Sequence, residues 1–174
     1  MKSNMLIAGL VVLTLNVFAQ VPTNSSKSYE YSAEQSVRKA SSGDLVLRFE
    51  KWGKEYFKNH SASISVDDTT QRYVEIQVTE KMVENHFSVN RTHKNRALTY
   101  HIKFDTDRKD YTYWINGFKY EALEIDKKGN EISLSGPLEE LKTPARKSLL
   151  EEINERMTVV ISELEKGAEI EIED

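Results

Sequence analysis

Residues 97–118 read ALTYHIKFDTDRKDYTYWINGF, and their alternation decides the fold class. Leu98, Tyr100, Ile102 and Phe104 occupy every second position, as do Tyr111, Tyr113 and Ile115 after the polar stretch Asp105-Thr106-Asp107-Arg108. Successive side chains on a strand point to opposite faces, so each run has one apolar and one polar face. The polar tetrapeptide between them suits a tight turn, which makes the pair an antiparallel hairpin. The predicted strands span Ala97–Phe104 and Asp110–Phe118.

Upstream the same period recurs. Val74, Ile76 and Val78 line one face of a strand over Arg72–Thr79, and Ile64 and Val66 do so over Ser63–Asp67, with a polar turn at Asp67–Thr70 between them. Residues 80–96 form a longer, charged excursion, with a short strand expected around Phe87–Val89. Before these strands the period lengthens: Leu45, Phe49, Trp52 and Tyr56 form the stripe of a helix over Ser42–His60. Ser41 and Asp44 have capping-box spacing, and His60 suits the negative end of the helix dipole. A first short strand is expected at Tyr29–Gln35.

Downstream, residues 122–142 read as an irregular connection with turns at Lys127–Asn130 and Gly136-Pro137. A second helix over 143–167 follows, with Thr143 as cap, Pro144 at its first position and Gly167 as its stop. Leu149, Leu150, Ile153, Met157, Val160, Ile161 and Leu164 share one face, which must be buried by docking or by self-association. Residues 168–174 are an acidic tail. The order β-α-β-β-β-β-α predicts an α+β domain, an antiparallel sheet of about five strands with helices on one face.

The N-terminus supplies an address. Lys2, the apolar run Met5–Leu15 and the closing Val17-Phe18-Ala19 have the layout of a cleavable signal peptide over residues 1–19, with 20–28 as a linker. That run is too short to span a bilayer. The chain has no cysteine, which excludes disulfides, thiolate metal sites and a lipoprotein anchor. The expected product is exported, periplasmic or secreted, with no membrane anchor after cleavage. It keeps 23 of 24 Lys+Arg and all 28 Asp+Glu, a net charge of 23 − 28 = −5. That balance argues against a nucleic-acid partner.

Leu45, Phe49 and Trp52 on the first helix, together with Tyr111-Thr112-Tyr113-Trp114-Ile115-Asn116-Gly117-Phe118-Lys119-Tyr120 on the last strand, resemble a family called domain of unknown function 4468. Its members are secreted or envelope proteins of Bacteroidetes with a TATA-binding-protein-like fold. The resemblance covers residues 29–121. It implies that fold and an exported address, and no reaction, because none is attached to the family; DNA binding does not follow from the fold.

No catalytic motif stands out. His60, His86, His93 and His101 lack metal-ligand spacing, although the excursion carrying His86 and His93 is long enough to fold back toward His101. Asp105, Asp107 and Asp110 crowd one hairpin but lack the glycine and distal glutamate of a calcium loop. No metal and no cofactor are expected. Asn24, Asn59 and Asn90 open N-x-S/T triplets, which a bacterial chain leaves to chance. Asp68-Thr69-Thr70 is similar to the O-glycosylation motif of exported Bacteroidetes proteins, with Thr69 as acceptor.

The polar sheet face is the most specific candidate. If Val74, Ile76 and Val78 face the helices, Tyr73, Gln77, His101, Trp114 and Asn116 face outward. An indole among amides, hydroxyls and one imidazole suits a glycan or the surface of an envelope protein. The expected function is a non-catalytic binding or interaction module. The alternative is a hydrolase of an envelope or extracellular polymer with dispersed carboxylates and His101 as acid/base, which needs a cleft holding two carboxylates beside His101. A third role, assembly through the C-terminal helix, follows from that helix's apolar face.

Overall fold

The computed structural model describes residues 21–38, 40–66, 72–83, 85–88 and 91–170, with the backbone alone for 85–88 and 91. The predicted signal peptide, Gln20, and the Asp67–Thr70 turn with Thr69 lie outside the described residues. The elements are β1 (Tyr31–Ser36), α1 (Ser42–Tyr56), β2 (Ser61–Val66), β3 (Tyr73–Lys81), β4 (Asn85–Ser88), β5 (Arg91–Asp107), β6 (Asp110–Ile125), β7 (Glu131–Pro137) and α2 (Arg146–Glu169).

The β5–β6 hairpin is the spine. Its strands of 17 and 16 residues turn at Arg108–Lys109, two positions later than expected. The strand path is β1-β6-β5-β3-β2, every pairing is antiparallel, and β4 and β7 flank the far end on β5 and β6. The five strands expected from the alternation form this path, and two short strands enlarge the sheet. Residues 80–96 are no excursion: β3 and β4 run end to end along β5. The predicted irregular connection holds the end of β6 and all of β7, where Ile132 and Leu134 keep the period of two.

Two bulges bend the spine and reset its alternation. Gly117 has φ of +67°, and the register steps from Thr99↔Lys119 to His101↔Asn116 across it. A glycine in left-handed geometry at the first bulge position re-aims every following side chain. The covered residues are thus Tyr111, Tyr113 and Ile115 before it, and Phe118, Tyr120, Ala122 and Glu124 after it. Asn95, with φ of +50°, does the same on β5 between Lys94 and Ala97.

Both helices pack on one face. Phe49 of α1 stacks on Phe104 with centroids 3.9 Å apart and meets Tyr111 edge-on. Burying such a ring contributes roughly 1.5–3 kcal/mol. The predicted capping box is present: Asp44 N donates to Ser41 Oγ at 3.2 Å, and Ser41 N to Asp44 Oδ2 at 2.9 Å. These bonds hold the Asp44 carboxyl below the usual carboxylate range, the Ser41 side chain contributing most. α1 ends at Tyr56, and His60 lies exposed beyond it.

The apolar face of α2 is satisfied within the chain, since Leu149, Leu150, Ile153, Met157, Val160 and Leu164 are all buried against the core. Self-association is not needed to cover them. Two predictions about its ends change. Ala145, not Thr143, is the N-cap; the Thr143 hydroxyl instead accepts from Ala145 N at 3.2 Å and donates to Glu124 at 2.7 Å. Gly167 does not stop the helix, because it marks where α2 crosses α1: a Cβ there would lie 2.7 Å from Trp52 Cδ1. Among the described residues no helix is long and apolar enough to cross a membrane.

Candidate functional site

With both helices on one side, the other side of β1, β6, β5, β3 and β2 is uncovered, and strand register arranges it in rows. Ser63, Gln77, His101 and Asn116 form one row; Ser65, Glu75, Lys103, Trp114 and Ser32 form the next. All five sequence-predicted residues, Tyr73, Gln77, His101, Trp114 and Asn116, lie on this face. Gln77 is exposed and the other four are half-buried.

Three of them contact other polar residues nearby: His101 meets Glu75, Tyr73 meets Lys103 and Asn116 meets Glu30. His101 Nδ1 lies 3.4 Å from Glu75 Oε1, with about a third of each side chain exposed (34% and 38%). Lys103 Nζ sits 4.9 Å from the centre of the Tyr73 ring, within cation–π range. Asn116 Nδ2 donates to Glu30 at 3.1 Å, and the Thr79 and Thr99 hydroxyls pair at 2.9 Å. The bulge positions the imidazole: His101 Cδ2 would lie 3.1 Å from a Cβ on Gly117, so the ring rests over bare backbone. The result is a polar surface carrying the Tyr73 and Trp114 rings, able to stack against apolar ring faces and to exchange hydrogen bonds at their rims.

On the covered face the sequence missed a polar network. His93 is fully buried, with Nδ1 2.9 Å from the Tyr120 hydroxyl and Nε2 3.0 Å from Glu124. Arg96 donates to Tyr120 at 2.8 Å, to Val83 O at 2.6 Å and through both terminal nitrogens to Glu152 of α2. Burial works against the Arg96 charge, but Glu152 and Tyr120 more than offset it and its pKa is raised. Beside this lies a groove of about 440 Å³ lined by Tyr56, His60, Glu80, Glu152, Arg156 and Val159 among others. At its floor buried Glu80 accepts from the Tyr100 hydroxyl and from Arg156 Nε at 2.5 Å. Burial, reinforced by Glu80, pushes the Tyr100 phenol far above the ordinary range. Arg96–Glu152 and Glu80–Arg156 cross from the strands to α2 and clamp it to the sheet, while His93–Glu124 ties β5 to β6.

Two sequence hypotheses meet the geometry directly. His93 and His101 lie on opposite faces of the sheet and cannot share a ligand. The backbone of His86, on β4, pairs with Thr92 of β5. His101 has one carboxylate beside it, Glu75, on an open surface and not in a cleft. Asp107 and Asp110 close the β5–β6 hairpin; Asp107 pairs with Arg72 at 3.3 Å and Asp110 accepts from Ser36 at 2.5 Å. These are the partners of a turn.

No family model matches the sequence, and no curated protein matches it. Two crystal structures are similar to it in fold. One is a TBP-like protein from Parabacteroides distasonis, superposing with a TM-score of 0.65 at 10% identity over 85% of this chain and 96% of the other. The other is a DUF4468 family protein from Bacteroides ovatus, with a TM-score of 0.53 at 12% identity over 85% of this chain and 91% of the other. The TBP-like fold implied by the helix stripe and the last strand is the fold of this chain.

Proposed function

We propose that the chain is an exported, non-catalytic binding module whose open sheet face holds a glycan chain. The supporting observation is the one-sided layering: both helices cover one face, leaving Tyr73, His101, Trp114 and Asn116 half-buried and Gln77 exposed on the other. Aromatic faces stack on the apolar side of sugar rings, and neighbouring amides and hydroxyls satisfy the sugar hydroxyls. The face also mixes charges, with Glu75, Lys103, Asp105 and Glu34, so no single-sign field favours a polyanion. Export rests on residues 1–19, and release without a lipid rests on the missing cysteine.

A glycan array probed with residues 20–174 tests the ligand class. Retention on at least one polysaccharide, lost on W114A, is expected. Capture of envelope proteins with no glycan retained would move the surface to protein recognition. N-terminal sequencing of the native protein is expected to start at Gln20. Modification of Thr69 is expected to raise the intact mass above that of the bare polypeptide; an unmodified mass removes it.

A further inference from the structure

The two end strands of the path differ in sequence. β1 carries the charge of Glu34 and follows a turn over residues 21–30 that closes on itself, Glu30 N donating to Pro22 O at 3.0 Å and Thr23 bridging Tyr29. β2 has β3 on one side and no strand on the other among the described residues. Native edges are guarded by charges, proline, bulges or a covering segment. The β2 sequence Ser61-Ala62-Ser63-Ile64-Ser65-Val66 has no charge and no proline, and its pairing with β3 runs without a register shift. Its residues are exposed or half-buried throughout.

We infer that β2 is a self-pairing edge: two copies of this chain join antiparallel through β2 about a two-fold axis at Ile64. Residues directly opposite in an antiparallel pair share a face, so only registers matching serine to serine are allowed. With the axis at Ile64, Ile64 meets its own copy, Ala62 meets Val66 and Ser63 meets Ser65. All three apolar side chains are then covered on the helix side, and the serines line the open side. Small lies opposite large in the one unequal apolar pair, and no charge faces a like charge along the strand.

The helix above agrees with this axis. Ile64 Cδ1 packs against Gly53 of α1, 3.1 Å from where a Cβ would stand, so the axis passes close to that turn of the helix. Trp52 faces Gly167 of α2, and at about 100° per residue Leu47, 53% exposed, and the Glu50–Lys54 pair at 2.5 Å fall on the opposite flank of α1. A two-fold axis sets α1 antiparallel to its copy, which brings Glu50 of each chain toward Lys54 of the other and makes the charges complementary across the seam. Pairing also joins the two open faces into one continuous surface. It does not rest on glycan binding, and sedimentation measures it with no ligand present.

Analytical ultracentrifugation of residues 20–174 over a concentration series is expected to show a monomer–dimer equilibrium. The double variant S63K/S65K, which sets charges on the exposed side of the edge, is expected to be monomeric with an unchanged circular dichroism spectrum. The chain has no cysteine, so the register can be measured cleanly: a mixture of S63C and S65C proteins should oxidise to the mixed dimer in preference to either homodimer. A monomer at every concentration, a dimer that survives S63K/S65K, or a predominant S63C homodimer overturns the proposal.

Discussion

The two faces of the β5–β6 hairpin are made by alternate residues of the same strands, and they end in opposite conditions. On one side Tyr100, Ile102, Phe104 and Ile115 are fully buried beneath α1 and α2. On the other, His101, Lys103 and Trp114 are half-buried, and the contacts of His101 and Lys103 run to Glu75 and Tyr73 in neighbouring rows of the same face. Stability resides on the first face, because removing a group there leaves a cavity or an unpaired charge. The second face contributes little to holding the fold, which leaves its side chains available to a ligand. Rotating the alternation by one residue would exchange the two roles.

Substitutions on the covered face should break this contrast most severely. Phe49→Ala removes a ring stacked on Phe104 and should cost about 3–5 kcal/mol in urea unfolding. Arg96→Met leaves Glu152 and the Tyr120 hydroxyl without their shared donor and should cost about 3 kcal/mol. A loss below a quarter of that would mean the network does not clamp α2.

Smaller effects sharpen the comparison where the faces exchange phase. Gly117→Ala forces a side chain into left-handed backbone and against the His101 ring, for a loss of about 1–2 kcal/mol. It should also disturb binding, because the bulge sets the imidazole. Ser41→Ala removes the α1 cap and should cost about 1 kcal/mol near neutral pH. The cap lowers the folded pKa of Asp44, so its contribution is complete above the ordinary carboxylate range and fades as pH falls through the lowered value. Urea melts at stepped pH should show wild type and Ser41→Ala converging in acid; a constant gap would separate the cap from Asp44.

The sequence was most legible where the determinant is local and periodic. Alternation in β3, β5 and β6 sorted Tyr73, Gln77, His101, Trp114 and Asn116 onto one face because it needs no knowledge of partners. The Ser41–Asp44 cap was legible for the same reason, its two residues lying three apart. Pairing across distance was not. Arg96 and Glu152 are 56 residues apart, and Glu80 and Arg156 are 76 apart, so each looked like an ordinary surface charge. β7 was hidden by its flanks, with Gly129 before it and Gly136-Pro137 at its end reading as turns. One missed signal was visible: apolar positions pass from 111, 113 and 115 to 118, 120 and 122, and that change of parity at Asn116-Gly117 marks a bulge.

A small expected effect on folding carries the largest expected effect on function. Trp114→Ala should cost about 1 kcal/mol of unfolding free energy, far less than Phe49→Ala, since the indole is only half-buried and lies on the uncovered face. Affinity electrophoresis of wild type and W114A, in gels cast with each polysaccharide retained on the array, tests the central claim most directly. Retardation of wild type with free migration of a folded W114A is the predicted result. Equal retardation of both proteins would contradict the assignment of the open face as the binding surface.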